Sequence, residues 1–454
     1  MESSRNSPRA DLVAHVAAQL REFLFPGAHL VLGLSGGIDS VSLLHILAEL
    51  SVPLRFSVRA VHINHGISPN AADWANFCRQ LCEQLGIPVA VEKVDISAFR
   101  HLGPEGAARA ARWSALRRHQ ADFLLLAQHR DDQAETLLLQ LLRGAGPAGL
   151  SGMAAGTFFT DALSGQARVL RPMLELSRAD IENFVQRRAL EWVEDESNSN
   201  VELERNFLRH RVLPAIVNRH AHATRVMARS AGILAEAAEL LDTLGRQDIA
   251  PLEKDGGLDL PGLRALGDAR ARNALRAYCN QRGIPLPGYS RIREIWKQIQ
   301  EPRKDGNICV EWNGYALQRY RARIFIERQR AEKSPQQDPV SWNGEACLPL
   351  MALHGFLNFR PEEGRGLSVE KLRSAAVTVR LRRGGERLRI DPRRPRRTLK
   401  NLWQEKGVPP WLRERQPLLY CGEQLVCVPG LGEDCQWRAM PAERGLIVSW
   451  QHFA

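Results

Sequence analysis

The chain has 454 residues, length for two or three domains at about 150 residues each. Its 44% hydrophobic and 25% charged content is ordinary globular composition, which excludes a disordered chain or a disulfide-stapled mini-protein. Lys and Arg total 62 against 51 Asp and Glu, for a net charge of +11. Between Arg380 and Lys400 ten basic residues face only Glu386 and Asp391, so +8 of the surplus sits in that segment and +3 in the rest. A local field of this kind can hold a polyanion; a solvated basic linker is the plainer account.

The N-terminal stretch to Leu24 interrupts its apolar positions with Asp11, His15, Gln19 and Arg21, the pattern of an amphipathic helix and not of a signal peptide. From residue 28 to about 143, short apolar runs alternate with helical stretches. Strands are predicted at His29 to Leu34, Arg59 to Asn64, Pro88 to Val94 and Asp122 to Ala127. Helices follow them to Leu50, around 70–85, around 105–119 and to Arg143. This spacing indicates βαβ units and a doubly wound parallel sheet, whose ligands bind at the carboxyl ends of the strands. A Gly/Ala/Ser-rich stretch runs from Gly144 to Gly165, and a polar cluster from Glu194 to Asn200. Residues 219–247 have helical periodicity, and breaks at Ala250 to Leu260 and Gly283 to Gly288 bracket further helices. Glu332 to Pro339 reads as a linker, and the remainder as a small α+β domain of short alternating strands. The expected domains are therefore 1–216, a doubly wound α/β domain; 217–332, helical; and 333–454, a small C-terminal α+β domain. No apolar run approaches the ~18 residues of a membrane span. The eight cysteines form no C-x-x-C pair, so neither zinc nor a disulfide framework is signalled, and a cytoplasmic protein with reduced thiols is expected.

Three motifs fall at predicted strand ends. Ser35-Gly-Gly-Ile-Asp-Ser40 joins a strand to a helix. Its glycines let backbone N–H groups face one point, and the helix start adds partial positive charge, so the loop suits a phosphate. It lacks the lysine of a Walker loop, and Asp39 would repel a phosphate unless Mg²⁺ lay between. His62-Ile-Asn-His65 suits nucleotide contact or ordinary turn hydrogen bonds, with no partner at zinc spacing. In Gln128-His-Arg-Asp-Asp-Gln-Ala-Glu-Thr136, helix-dipole compensation accounts for one or two acids. Asp131, Asp132, Glu135 and His129 together suggest a site for a metal or a cationic amine, with Asp132 and Glu135 on one helix face. Arg109, in Glu105-Gly-Ala-Ala-Arg109, could reach a phosphate. Arg205 and Arg209 share a helical side that fits either a nucleic-acid backbone or solvent.

Taken in order, SGGIDS, HINH, EGAAR, QHRDDQAET, Arg171-Pro-Met-Leu174, EDESN and RNFLRHRVLP resemble the tRNA(Ile)-lysidine synthetases of the PP-loop ATP-pyrophosphatase superfamily over residues 28–214. The likeness resumes at Val379 to Arg387, Thr398 to Pro409 and Trp411 to Leu419. It implies ATP-dependent adenylation of the C2 carbonyl oxygen of the wobble cytidine in a CAU-anticodon isoleucine tRNA. Free L-lysine then displaces AMP, so the products are lysidine, AMP and pyrophosphate. The residues implied for ATP are Ser35, Gly36, Gly37, Ile38, Asp39, Ser40 and His62, with Mg²⁺ held through Asp39. Arg109 would stabilise developing charge, Asp132 and Glu135 would bind lysine and take its proton, and Arg205, Arg209, Arg393, Arg394, Arg396 and Arg397 would grip tRNA. The partners implied are the tRNA and lysine, without a membrane; a homodimer is admitted. Ile67-Ser68 stands where the family usually carries Leu-Arg, and Arg130 where it carries an apolar residue. The competing readings are tRNA thiolation, which needs sulfur chemistry that no cysteine beside the motifs supplies, a non-catalytic tRNA binder, and a small-molecule synthetase, against which the basic tail argues.

Overall fold

The computed structural model describes residues 11–452 apart from 67, 159–167, 255, 287, 302–308, 329–338 and 354; most of the linker expected at 332–339 lies outside the described residues. The chain forms two compact units, Met1–Leu244 and Gly245–Ala454.

In the first unit the elements are α1 (Leu12–Arg21), β1 (His29–Gly33), α2 (Ile38–Ser51), β2 (Ser57–Asn64), α3 (Ala71–Gln84), β3 (Val89–Lys93), α4 (Gly103–Leu116), β4 (Phe123–Leu125), α5 (Arg130–Leu142), α6 (Pro147–Leu150), β5 (Gly156–Phe158), β6 (Arg168–Leu170) and α7 (Arg178–Arg188). Among the described residues the strands form a six-stranded sheet in the order β3-β2-β1-β4-β6-β5. All neighbours pair parallel except the edge strand β5. Leu30, Val31, Leu32, Leu124 and Leu125 are buried, as strands covered on both faces require. One face packs against α1, α2 and α7 through Leu20, Val41, Leu44, Leu47, Ile181 and Phe184. On the other, Val31, Val61, Leu124 and Val169 pack beneath Leu116 and Trp113 of α4. Strand order reverses between β1 and β4, the topological switch point where doubly wound sheets bind ligands beyond their carboxyl ends. SGGIDS and QHRDDQAET leave the sheet at these two strands.

The segment after α7 carries α8 (Glu204–Phe207), a π-helical turn (Leu208–Val212), α9 (Leu213–Arg219) and the long α10 (Ala223–Ile249). The second unit opens with strands β7 (Glu253–Lys254) and β8 (Gly257–Asp259), helices α11 (Leu260–Ala265), α12 (Asp268–Gln281) and α13 (Tyr289–Gln300), and strands β9 (Cys309–Trp312), β10 (Tyr315–Tyr320) and β11 (Arg323–Arg328). This helical region thus also carries an antiparallel sheet, β7-β8-β11-β10-β9. Asn313 and Gly314, both at positive φ (44° and 77°), make the tight turn that pairs β9 with β10. Beyond residue 339 come further antiparallel sheets, a small hairpin of β12 (Arg387–Leu388) with β13 (Arg397–Thr398), and the helix α14 (Leu399–Glu405). No described helix is long and apolar enough to cross a membrane.

Candidate active site

The loop Ser35–Ser40 leaves β1 and enters α2 without a side-chain N-cap. The backbone N–H groups of Ser35 and Gly36 both donate to Ser40 Oγ at 3.2 Å, that of Gly37 donates to Ser35 Oγ at 3.3 Å, and the two hydroxyls lie 3.0 Å apart. The loop's own hydroxyls thus take up these N–H groups, and a phosphate would bind them by replacing the hydroxyl contacts. Gly36 has φ +89°, and a Cβ there would lie 2.7 Å from Val193 Cγ2, so conformation and space both demand glycine. Gly36 is also tied down from outside, because the Val193 N–H donates to its carbonyl at 3.0 Å.

His62 is buried beneath this loop, with Nδ1 3.0 Å from the Leu34 carbonyl and 3.4 Å from Cys78 Sγ. Burial lowers its pKa, so the neutral ring braces the loop from below. His65 has both ring nitrogens buried without a hydrogen-bond partner among the described residues. Its pKa falls to about 4, through burial and then the adjacent Arg112. Ser68 at the family-divergent position donates to Glu196 at 2.5 Å and so joins the HINH turn to the EDESN segment; Ile67 lies outside the described residues.

At the start of α5, His129 is buried and surrounded by acids. Its Nε2 is 3.5 Å from Asp132 Oδ2 and 3.7 Å from Asp39 Oδ1, and its Nδ1 is 3.7 Å from Asp131 Oδ2. Burial works against its charge, but Asp131, Asp132 and Asp39 raise its pKa. Asp39, in the first turn of α2, has its pKa raised by burial against the opposing pull of His129 and Arg178. Arg178 Nη1 donates to both of its carboxylate oxygens at 3.0 Å. Asp131 accepts from the Arg178 backbone N–H at 2.9 Å and so fixes the start of α7. The divergent Arg130 donates to the Glu175 carbonyl at 3.2 Å on the same α7 side of the site.

Asp132 and Glu135 form the densest part. Asp132 Oδ2 accepts from the His129 backbone N–H at 3.0 Å, the reciprocal contact of a helix cap. Its Oδ1 accepts from Arg205 Nη2 at 3.0 Å and Arg209 Nη2 at 3.2 Å. Glu135, with its side chain 2% exposed, accepts from Arg205 Nε at 2.7 Å and from Arg209 Nε at 2.5 Å and Nη2 at 3.0 Å. Burial opposes the charge of both arginines, yet the two carboxylates raise their pKa values. The residues expected to hold lysine and two of those expected to hold tRNA thus pair with one another. The RNFLRHR segment is locked in place by Asn206, whose Nδ2 donates to the Ser197 and Asn200 carbonyls at 2.8 and 2.9 Å.

Arg109, on α4, is exposed, with Arg112 and Arg171 as like-charged neighbours. Arg171 is buried and donates to Gln128 at 2.5 Å and to the Ala154 carbonyl at 2.9 Å. Burial, and then Arg109, brings its pKa down to about 10. Such a gathering of cations suits a polyphosphate. Arg178 and Arg112 went unremarked in the sequence. Arg112 stands three residues after Arg109 on one helical face, a usable signal, whereas nothing local marks Arg178. Among the described residues no group of three or more His, Cys, Asp or Glu side chains could hold a metal by itself. Asp39 as a lone carboxylate suits Mg²⁺, which takes one or two protein carboxylates and completes its shell with phosphate and water. A wide cleft of about 1650 Å³ opens at the opposite, amino edge of the sheet, between His29, Ser57 and Asp122, away from this chemistry.

In the second unit the basic segment is partly neutralised. Arg380 pairs with Glu423 at 2.8 Å, Arg397 with Glu405 at 2.6 Å, and Arg396 with Asp434 at 3.4 Å. Arg394 is 67% exposed and reaches only to 3.7 Å from Asp391. Arg393 is exposed as well.

A family model for the PP-loop domain matches residues 12–216, one for the TilS substrate binding domain matches 258–325, and one for the TilS substrate C-terminal domain matches 377–450. A tRNA(Ile)-lysidine synthase of Nitrosomonas europaea is 39% identical over 99% of this chain and 98% of its own. Those of Pectobacterium atrosepticum (36% identity; 88% and 90%) and Coxiella burnetii (37%; 87% and 87%) are similar over most of both lengths.

Proposed function

Because the chain belongs to the tRNA(Ile)-lysidine synthase family, an ATP-dependent ligase family acting on isoleucine tRNA, we propose that the carboxyl edge between β1 and β4 adenylates the wobble cytidine and then joins it to lysine. The observation that carries this reading is the meeting, at one topological switch point, of a phosphate-ready loop with the buried Asp132/Glu135 pair. The domains are drawn at 1–216, 217–332 and 333–454, with one family match inside each.

The backbone of Ser35–Ser40 receives the ATP phosphates, braced from below by His62. Mg²⁺ held through Asp39 would offset phosphate charge, and Arg178 already meets that carboxylate as a cation. Arg109 supplies further positive charge as pyrophosphate departs; fixed donors of this kind act where charge develops. The incoming lysine has a reference pKa near ~10.4 and must lose a proton to attack C2. Asp132 is the better placed to receive the ammonium and take that proton, since its side chain is 12% exposed against 2% for Glu135. For this, an arginine must yield its contact with Asp132. We assign that arginine to a tRNA backbone phosphate, so that tRNA binding and lysine access are coupled at Arg205 and Arg209. Arg393, Arg394, Arg396 and Arg397 form the expected tRNA contact of the C-terminal domain.

Thiolation is the weaker reading. Cys78, the thiol beneath the loop, is buried and pushed up to about 12, and Cys82 to about 11, so neither supplies a thiolate. The test incubates the protein with Mg-ATP, labelled lysine and a CAU-anticodon isoleucine tRNA and looks for label in the wobble nucleoside. Its absence, or full activity of Asp132→Asn at limiting lysine, overturns the assignment. We place the protein in the cytoplasm, and light scattering reads whether it forms the homodimer that the sequence admits.

A further inference from the structure

The helix α10 carries an apolar line that the chemistry above does not use. Its inner face is marked by Ala223 and Ala231, both buried, and a Cβ on Gly152 would lie 3.5 Å from that of Ala231. The opposite face presents Val226, Ile233 and Leu240, which are 46%, 59% and 71% exposed. Single exposed apolar residues are ordinary. These three recur every seven residues, so they drift only about 20° per step and form one line along about 21 Å of helix, the seam by which helices pair. Gly232, beside Ile233, has no atom of the described residues within reach of a Cβ. A glycine weakens a helix interior, but it bares the backbone to a close neighbour.

The charges along one flank of this line are ordered. Arg225 and Arg229 stand in the first half and Glu236 and Glu239 in the second, all four exposed and engaged in no ion pair among the described residues. Set a second α10 against the first, running the opposite way, with Ile233 facing its own counterpart. Val226 then falls opposite Leu240 of the other copy, and Leu240 opposite its Val226. In the same register Arg229 meets Glu236 and Arg225 meets Glu239, each twice, whereas a parallel pair would set like charges side by side. Apolar spacing and charge order are thus both self-complementary about one residue, which an isologous two-fold contact requires and an unrelated partner does not.

We propose that α10 is a self-association surface, on which a second copy of this chain docks antiparallel about Ile233. One helix pair of this length falls below about 1,200 Å² of buried surface, the class of weak, reversible contacts. The dimer therefore forms at micromolar concentration and dissociates on dilution. The inference does not depend on the tRNA reading, and its test contains no RNA.

Sedimentation velocity of the full chain from about 1 to 100 μM should show a monomer–dimer equilibrium. Ile233→Glu places two carboxylates face to face at the axis and should stay monomeric throughout, with an unchanged melting temperature at a dilution where wild type is also monomeric. Arg229→Glu and Glu236→Arg each bring like charges together and should each weaken association about tenfold. An equimolar mixture of these two variants should associate like wild type, because the acidic flank of one meets the basic flank of the other. A wild type that stays monomeric at the highest concentration overturns the proposal, as does a dimer that Ile233→Glu leaves intact. Loss of association in neither charge variant would mean a parallel pair and overturns it too. Should Ile233→Glu not fold, the mixture decides: association no stronger than that of either variant alone overturns the proposal.

Discussion

Two arginine-rich regions of this chain use the same side chain in opposite ways. At the active site Arg205 and Arg209 clasp Asp132 and the enclosed Glu135, and each guanidinium has a geometrically fixed partner. In the segment 380–400 most partners are exposed acids such as Glu423 and Glu405, or backbone carbonyls; Arg396 alone of the pairs above reaches a buried acid, Asp434, and Arg394 lies 3.7 Å from Asp391. Removing one member of a buried pair strands a desolvated charge at a cost of about 3–5 kcal/mol, whereas an exposed pair contributes 0 to ~1. Charge in the first region should therefore control stability and chemistry, and in the second, affinity for a polyanion.

The largest expected break in that contrast is Glu135→Ala. It leaves two arginines facing Asp132 alone and should cost about 3–5 kcal/mol in thermal unfolding, with loss of lysidine formation. Retained stability would mean that water already shares these arginines. Next comes Asp39→Asn, for which tRNA-dependent pyrophosphate release should fall about 100-fold or more while tRNA binding survives. A proportional loss of tRNA affinity would move Asp39 out of the nucleotide site. Smaller again is the effect of Arg393→Gln with Arg394→Gln. This pair should weaken tRNA binding and lower the slope of log K against log salt by about 2, without changing the melting temperature. Arg396→Gln with Arg397→Gln should reduce the slope less, since Asp434 and Glu405 already hold those side chains. Equal slopes from the two double variants would show that these ion pairs open on binding.

Much of this was legible from order along the chain. SGGIDS and QHRDDQAET each follow an apolar strand, so their place at the carboxyl edge follows from βαβ periodicity, and the switch point follows from which strands they end. The turn at Asn313-Gly314 carries a hairpin signal of its own, one that the expectation of a helical domain over 217–332 leaves out. Distance in space was not legible. Asp132 and Arg205 lie 73 residues apart, and helical spacing could say only that each shared a face with a neighbour, so their ion pair divided into two separate expectations. Arg178 reaches Asp39 across 139 residues from the first turn of a helix whose visible signal is the Ser177 cap. In the basic segment, composition gives net charge but not which arginines are held by Glu405, Glu423 and Asp434, a matter of strand and helix packing.

The smallest effect is one of pH, and it probes whether the charges of the active-site region are present as drawn. Asp131, Asp132 and Asp39 face the His129 ring and raise its pKa above the reference ~6.5 against the pull of burial. A group whose pKa is higher in the folded than in the unfolded chain adds stability below the unfolded value and loses it as pH rises through the folded value. The difference in melting temperature between wild type and His129→Gln should therefore be greatest below about pH 6.5 and shrink at higher pH. His65 works in the opposite sense. Its pKa of about 4 in the folded chain means that acidification from ~6.5 protonates the unfolded chain first, so stability falls across that interval. In His65→Phe this acid loss should flatten while the His129 dependence at higher pH persists. If His129→Gln instead narrowed its gap to wild type as pH fell, the ring would be neutral in the folded protein, and Arg178 alone would balance Asp39.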